Sequence, residues 1–182
     1  MIAPVHILNA TSISAEHLHP CLKDVGDVLG VSVHLTASPL HLEKSFDRSR
    51  AQYHSTAILN QIVRLPFASG DRVIAVVDVD LYIPVLTFVF GEAQLNGRAT
   101  VVSTYRLSNE FYGLPPNPGL MLQRLTKEMI HELGHCFGLL HCRDFECVMR
   151  SSTYVEEIDL KKSGFCMSCS SLLFPSPSLI AR

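Results

Sequence analysis

HELGHCFGLLHC, residues His131 to Cys142, is the stretch that decides what this chain can be. In a helix, residues four apart leave the same face about one turn from each other, so the imidazoles of His131 and His135 can both reach one Zn²⁺ at ~2.0–2.1 Å. Glu132, rotated by about 100° from His131, cannot easily join them as a ligand, but it can hydrogen-bond a water on the metal. A third ligand requires the helix to stop, and Gly138 is placed to adopt the left-handed conformation that ends it. His141 then returns to the same metal. Three His ligands leave one of four tetrahedral positions open, which separates a catalytic zinc from a structural one. There Zn²⁺ lowers the pKa of bound water toward ~7 and polarises a carbonyl, while Glu132 accepts the water's proton and passes it to a leaving amine. The other histidines, His6, His17, His19, His34, His41 and His54, show no such spacing and read as ordinary surface or core residues.

Four cysteines follow at once: Cys142, Cys147, Cys166 and Cys169. The last pair is Cys-x-x-Cys, and the set has the ligand types and spacing of a closed four-cysteine zinc site, against the alternatives of free thiols or two disulfides. A closed site would pin the loop after the helix to the C-terminal segment and would add its metal affinity to the folding free energy. Cys21 and Cys136 stand apart and read as small buried apolar residues.

Upstream, Leu122, Leu125, Met129, Leu133 and Cys136 recur at helical spacing, with Asn117 as N-cap and Pro118 at the first helical position. His131 and His135 fall about 200° and 240° from Met129, on the side opposite that stripe. The first third reads as a βαβ unit: a strand at Pro4 to Ile7, a helix capped by Ser12 or Ser14 and running to about Leu29, and a strand at Val31 to Leu35. His41 to Arg50 reads as loop and Ala51 to Val63 as an amphipathic helix. Val73 to Val77 suits a strand buried on both faces and ending at Asp78 and Asp80; Phe88 to Phe90 reads as a short strand; Asn96-Gly97 is a hairpin turn before the strand ATVVSTY. The Ser/Pro-rich end, Ser170 to Ser178, reads as loosely held.

The chain has 182 residues, 47% hydrophobic and 18% charged, with 15 Lys plus Arg against 17 Asp plus Glu. A chain of this size buries roughly 70% of its unfolded surface and needs no disulfides to hold a core. The charge balance, with no basic cluster, argues against nucleic acid or an anionic membrane as partner. No run reaches the ~20 apolar residues of a membrane span, and the N-terminus lacks the pattern of a secretory signal. The expectation is a monomeric cytoplasmic protein with reduced cysteines.

The motif His131-Glu-x-x-His135-x-x-Gly138-x-x-His141 is similar to the extended zinc motif of metzincin metallopeptidases. Its continuation, Cys142-x-x-x-x-Cys147-x-Met149 and then Cys166-x-x-Cys169, resembles the archaemetzincin (archaelysin) branch, and the likeness reaches upstream to RAQY (Arg50 to Tyr53) and DVDLYIPVLTFVFGEA (Asp78 to Ala93). The resemblance implies an α/β (α+β) fold: a metzincin-like mixed twisted sheet with an active-site helix, and a small C-terminal subdomain pinned by a four-cysteine zinc site. It implies one catalytic domain over 1–182, divided into 1–138 and 139–182. It implies two zinc ions, one held by His131, His135 and His141 and one by the four cysteines. Glu132 would be general base and acid, and Met149 an apolar floor beneath the ligands. An extended peptide or protein substrate would pair with an edge strand, for which Phe88 to Phe90 is the candidate.

Where some metzincins carry a Tyr two residues after the Met, this chain has Ser151. Arg150 and Tyr154 are candidates to stabilise the oxyanion, against a plainer reading of both as exposed surface. The resemblance fixes a reaction class, zinc-dependent peptide-bond hydrolysis, better than a substrate; aminopeptidase action or short-peptide processing is the finer expectation. The alternative is a catalytically idle zinc-binding module in which only the four-cysteine site is filled, and Glu132 argues against it because such a module needs no base. A nucleic-acid-binding zinc ribbon comes last, since Lys161 and Lys162 lie among Glu156, Glu157 and Asp159.

Overall fold

A computed structural model describes residues 3–174 of the chain. Strands β1 (Val5–Ala10), β2 (Val33–Ala37), β5 (Arg72–Val77), β7 (Gly91–Ala93) and β8 (Ala99–Ser103) form one sheet in the order β2-β1-β5-β8-β7. Its pairings are parallel except the last: β7 runs antiparallel to β8 and forms an edge. A small second sheet joins β3 (Phe46–Asp47), β4 (Gln52–His54) and β6 (Leu81–Tyr82).

Helices cover both faces of the main sheet, and β5 shows why. With side chains alternating along a strand, Val73, Ala75 and Val77 meet Ile58, Leu59 and Ile62 of α2 (Ser55–Val63). Ile74 and Val76 face Leu18 and Val25 of α1 (Ala15–Leu29) and Leu125 and Met129 of α3 (Pro118–Cys136). Every residue from Val73 to Val77 is fully buried, which accounts for its unbroken apolar sequence.

Helix ends follow local chemistry. Ser14 rather than Ser12 caps α1, its hydroxyl accepting from the His17 N–H, and Gly30 closes the helix in the left-handed region at φ 65°. Asn117 accepts from the Leu120 N–H at 3.0 Å to start α3, with Pro118 in its first turn. At the far end Gly138 takes φ 93°, its N–H donating to the His135 carbonyl while the Leu139 N–H donates to that of Gly134. This is the paired bond pattern of a Schellman turn, and it reverses the chain directly after the histidine pair.

Several local expectations shift. Residues 88–90 form no strand: Val89 bridges Leu81 alone, and the edge strand is Gly91–Ala93. Gln52–His54, read as the first turn of a helix, pairs instead with β6 and β3 before α2 begins. The polar stretch after His41 holds a 3-10 turn and β3. Ser170 to Leu173 lies in helix α5 (Met167–Leu173), and 175–178 falls outside the described residues. The side of α3 opposite its apolar stripe is covered as well: Val148 meets His131 and the edge strand at Gly91 closes on Glu132, so both are only 5% exposed.

The edge strand lies hard against α3. A Cβ at Gly91 would meet the Glu132 Cγ at 2.7 Å and the Val101 carbonyl oxygen at 2.8 Å, whereas one at Gly119 would find only an ordinary contact of 3.7 Å. Gly91→Ala should therefore cost ~1–3 kcal/mol by overpacking, and Gly119→Ala nothing, in denaturant titrations of the two variants. Equal midpoints would show that β7 and α3 part easily.

Candidate metal centre and active-site cleft

The turn at Gly138 brings His141 back toward α3, and the imidazole centroids of His131, His135 and His141 stand 4.7, 4.9 and 5.3 Å from one another. Two carbonyls orient the first pair. The Nδ1 atoms of His131 and His135 lie 2.8 Å from the Val148 carbonyl oxygen and 2.7 Å from that of Leu139. Because a carbonyl can only accept, each Nδ1 carries the proton and each Nε2 keeps its lone pair. The two Nε2 atoms face each other at 3.1 Å. Tetrahedral zinc with bonds of ~2.0–2.1 Å wants donors about 3.3 Å apart, so the set fits the ion. Burial lowers the pKa of all three imidazoles, His131 furthest, and holds them in the neutral form that binds metals.

The four thiols form a second group whose sulfurs lie within 4.8 Å of one another. Cys142 and Cys166 Sγ atoms are 3.7 Å apart, where tetrahedral bonds of ~2.3 Å imply about 3.8 Å. That separation rules out a disulfide between them and fits a shared soft cation. The backbone N–H of Cys169 holds the Cys166 thiol below its ordinary pKa, while burial pushes Cys147 up. Cys21 and Cys136 are buried apart from this group, and burial raises Cys136 to about 12.

Met149, fully buried, links the two groups. Its sulfur packs on Gly134 between the histidines, where an added Cβ would collide with it, and its carbonyl accepts from the Cys142 N–H at 2.9 Å.

A cleft of about 790 Å³ opens over the histidines, with Glu132, His135 and His141 in its floor. Burial, reinforced by Glu128 and Glu92, pushes the Glu132 carboxyl well above its ordinary range. The upper lip, Ile83 to Phe90, is braced from behind. Arg50 donates to the Leu86 and Thr87 carbonyls at 3.0 Å, and Gln52 donates to Thr87 and to Asp80. Asp80 in turn holds Arg106 through two bonds of 2.6 and 2.7 Å, with the guanidinium over the Phe88 ring. These contacts give the Arg50–Tyr53 and Asp78–Ala93 stretches a shared task. Ser151 and Tyr154 line the lower lip, while the Arg150 guanidinium stacks on Phe145. A groove of about 660 Å³ between α1 and β2 holds no comparable cluster of ligand groups.

Two charged residues outside the sequence motifs belong to this region. Lys161 is buried rather than displayed as a surface cation, and its Nζ lies 3.1 Å from Glu128 Oε1. Neither position stands at a diagnostic spacing; a lysine next to Lys162 in a charged stretch reads as exposed. Among the described residues no helix is long and apolar enough to cross a membrane.

The family model described as Peptidase family M54 matches residues 29–174. The archaemetzincin of Methanocaldococcus jannaschii is 38% identical over 169 residues, covering 93% of this chain and 92% of that one. The crystal structure of the Methanopyrus kandleri archaemetzincin superposes with a TM-score of 0.82 at 36% identity, over 94% of this chain and 93% of that one. That of a zinc-dependent peptidase from Methanocorpusculum labreanum gives 0.84 at 28% identity, over 93% and 99%. With its histidine and cysteine clusters in this fold, the chain belongs to peptidase family M54, the archaemetzincin zinc metallopeptidases.

Proposed function

We propose that His131, His135 and His141 hold the catalytic zinc, that Glu132 is the general base and acid, and that Cys142, Cys147, Cys166 and Cys169 hold a second, structural zinc. The observation that carries this reading is the pair of Nε2 atoms 3.1 Å apart, each with its Nδ1 proton engaged by a carbonyl. Zinc in the three-imidazole set supplies Lewis acidity toward water and a substrate carbonyl. Glu132, buried beneath Gly91 at the cleft floor, takes the proton of the attacking water and delivers it to the leaving amine. Burial raises its proton affinity, which favours its taking that proton. The four-cysteine site fastens the return loop carrying His141 to the C-terminal helix.

The finer reading is action on short peptides from their amino end. Asp80 offsets Arg106 and Lys161 offsets Glu128, which leaves Glu92 and Glu132 as the acidic groups of the cleft lining with no ion-pair partner among the described residues. That balance favours a substrate ammonium.

Elemental analysis alongside peptide hydrolysis separates these roles. Native protein and Glu132→Ala should each hold about two zinc ions and His135→Ala about one, with cleavage by native alone. One sulfur-bound zinc in native protein and no cleavage would favour the idle module. Peptides with a free α-amino group should be cut at least ~10-fold faster than their N-acetylated forms; equal rates would remove the amino-end preference.

A further inference from the structure

The ammonium of Lys161 is the only lysine head group buried among the described residues, its side chain 0% exposed. It contacts Glu128 Oε1 at 3.1 Å, the Arg150 carbonyl at 3.0 Å and, more loosely, the Val148 carbonyl at 3.5 Å. These three acceptors match its three N–H donors. The two carbonyls flank Met149, so the ammonium clamps the turn that packs on Gly134. One of them, Val148, also takes the Nδ1 proton of His131 at 2.8 Å.

A buried apolar side chain would fill this space without the desolvation cost of an ammonium, but it could not hold two carbonyls. Lys161 also begins the stretch that returns to Cys166: the Lys162 N–H donates to the Glu146 carbonyl at 2.8 Å and the Val148 N–H to the Gly164 carbonyl at 3.0 Å. The side chain therefore ties the cysteine-rich segment to the carbonyl that orients one imidazole.

We propose that Lys161 is a positioning residue: by clamping the Val148 and Arg150 carbonyls it holds the His131 imidazole in its metal-facing orientation. The consequence for zinc rests on the assignment of His131 as a ligand; the consequence for the imidazole does not. Removing a group that orients a ligand weakens metal binding by roughly 10–100-fold.

Lys161→Met alone strands the buried Glu128 carboxylate and puts folding itself at risk, so the test uses Glu128→Gln and the double variant Glu128→Gln/Lys161→Met. In Glu128→Gln the amide oxygen still accepts from Lys161 although the charge of the ammonium is no longer balanced, so the variant should melt lower than native; in protein still folded by circular dichroism, zinc affinity of the open site, measured by chelator competition, should stay within about twofold of native. The double variant should melt near native, keep its sulfur-bound zinc, and bind the second zinc about 10–100-fold more weakly. In chelator-treated protein still folded by circular dichroism, nitrogen-15 spectra should show His131 protonated at Nδ1 in native and Glu128→Gln, and a mixture of tautomers in the double variant. A double variant with native zinc affinity and a native His131 tautomer would overturn the proposal and leave Lys161 as a counter-ion for Glu128. Native protein with no second zinc would instead refute the ligand assignment, and the His131 spectra would still decide the role of Lys161.

Discussion

Two backbone carbonyls fix the orientation of two of the three clustered histidines. Val148 and Leu139 each accept the Nδ1 proton of a histidine and so turn the other ring nitrogen, lone pair outward, toward a common point. Side-chain spacing on a helix brings two imidazoles near each other, but leaves ring rotation and tautomer free. The carbonyls remove that freedom, and both come from the chain beyond the end of α3. The donor set is therefore assembled by tertiary structure acting on a local motif.

That dependence explains why α3 is enclosed. One face packs on the sheet through Leu125, Met129 and Leu133, and the other meets residues 147–165. Arg124 reaches Asp159 through bonds of 2.8 and 2.7 Å, and Lys127 donates to the Ile158 carbonyl at 2.9 Å, docking helix α4 (Val155–Leu160) alongside. The four cysteines gather both ends of this covering segment at one point, their sulfurs within 4.8 Å of one another. The cleft then lies between two supported lips, the upper braced by Arg50, Gln52 and the Asp80–Arg106 pair, the lower continuous with the Met149 turn.

Features carried by local spacing were legible in the sequence: the histidine and cysteine groupings, the Asn117 and Gly138 ends of α3, and the doubly buried β5. Those set by distant contacts were not. Nothing local distinguishes Lys161 from Lys162, yet one is buried against Glu128 and the other pairs with Glu146 at the surface. Phe88 to Phe90 has the composition of a strand, but both phenylalanines line the cleft, Phe88 beneath the Arg106 guanidinium, while Gly91–Ala93 takes the edge. Glycine at 91 reads as a strand end; only the approach of Glu132 shows why no side chain fits there.

The proposed function places two zinc sites of different chemistry in one chain, an open one of nitrogen donors and a closed one of sulfur. X-ray absorption at the zinc edge on the native protein, interpreted with crystallographic anomalous scattering, tests it most directly. The account predicts two zinc positions per chain: one with four sulfurs at ~2.3 Å, the other with three nitrogens at ~2.0–2.1 Å and a light atom from solvent. A single position, or nitrogen and sulfur mixed in one shell, would contradict it.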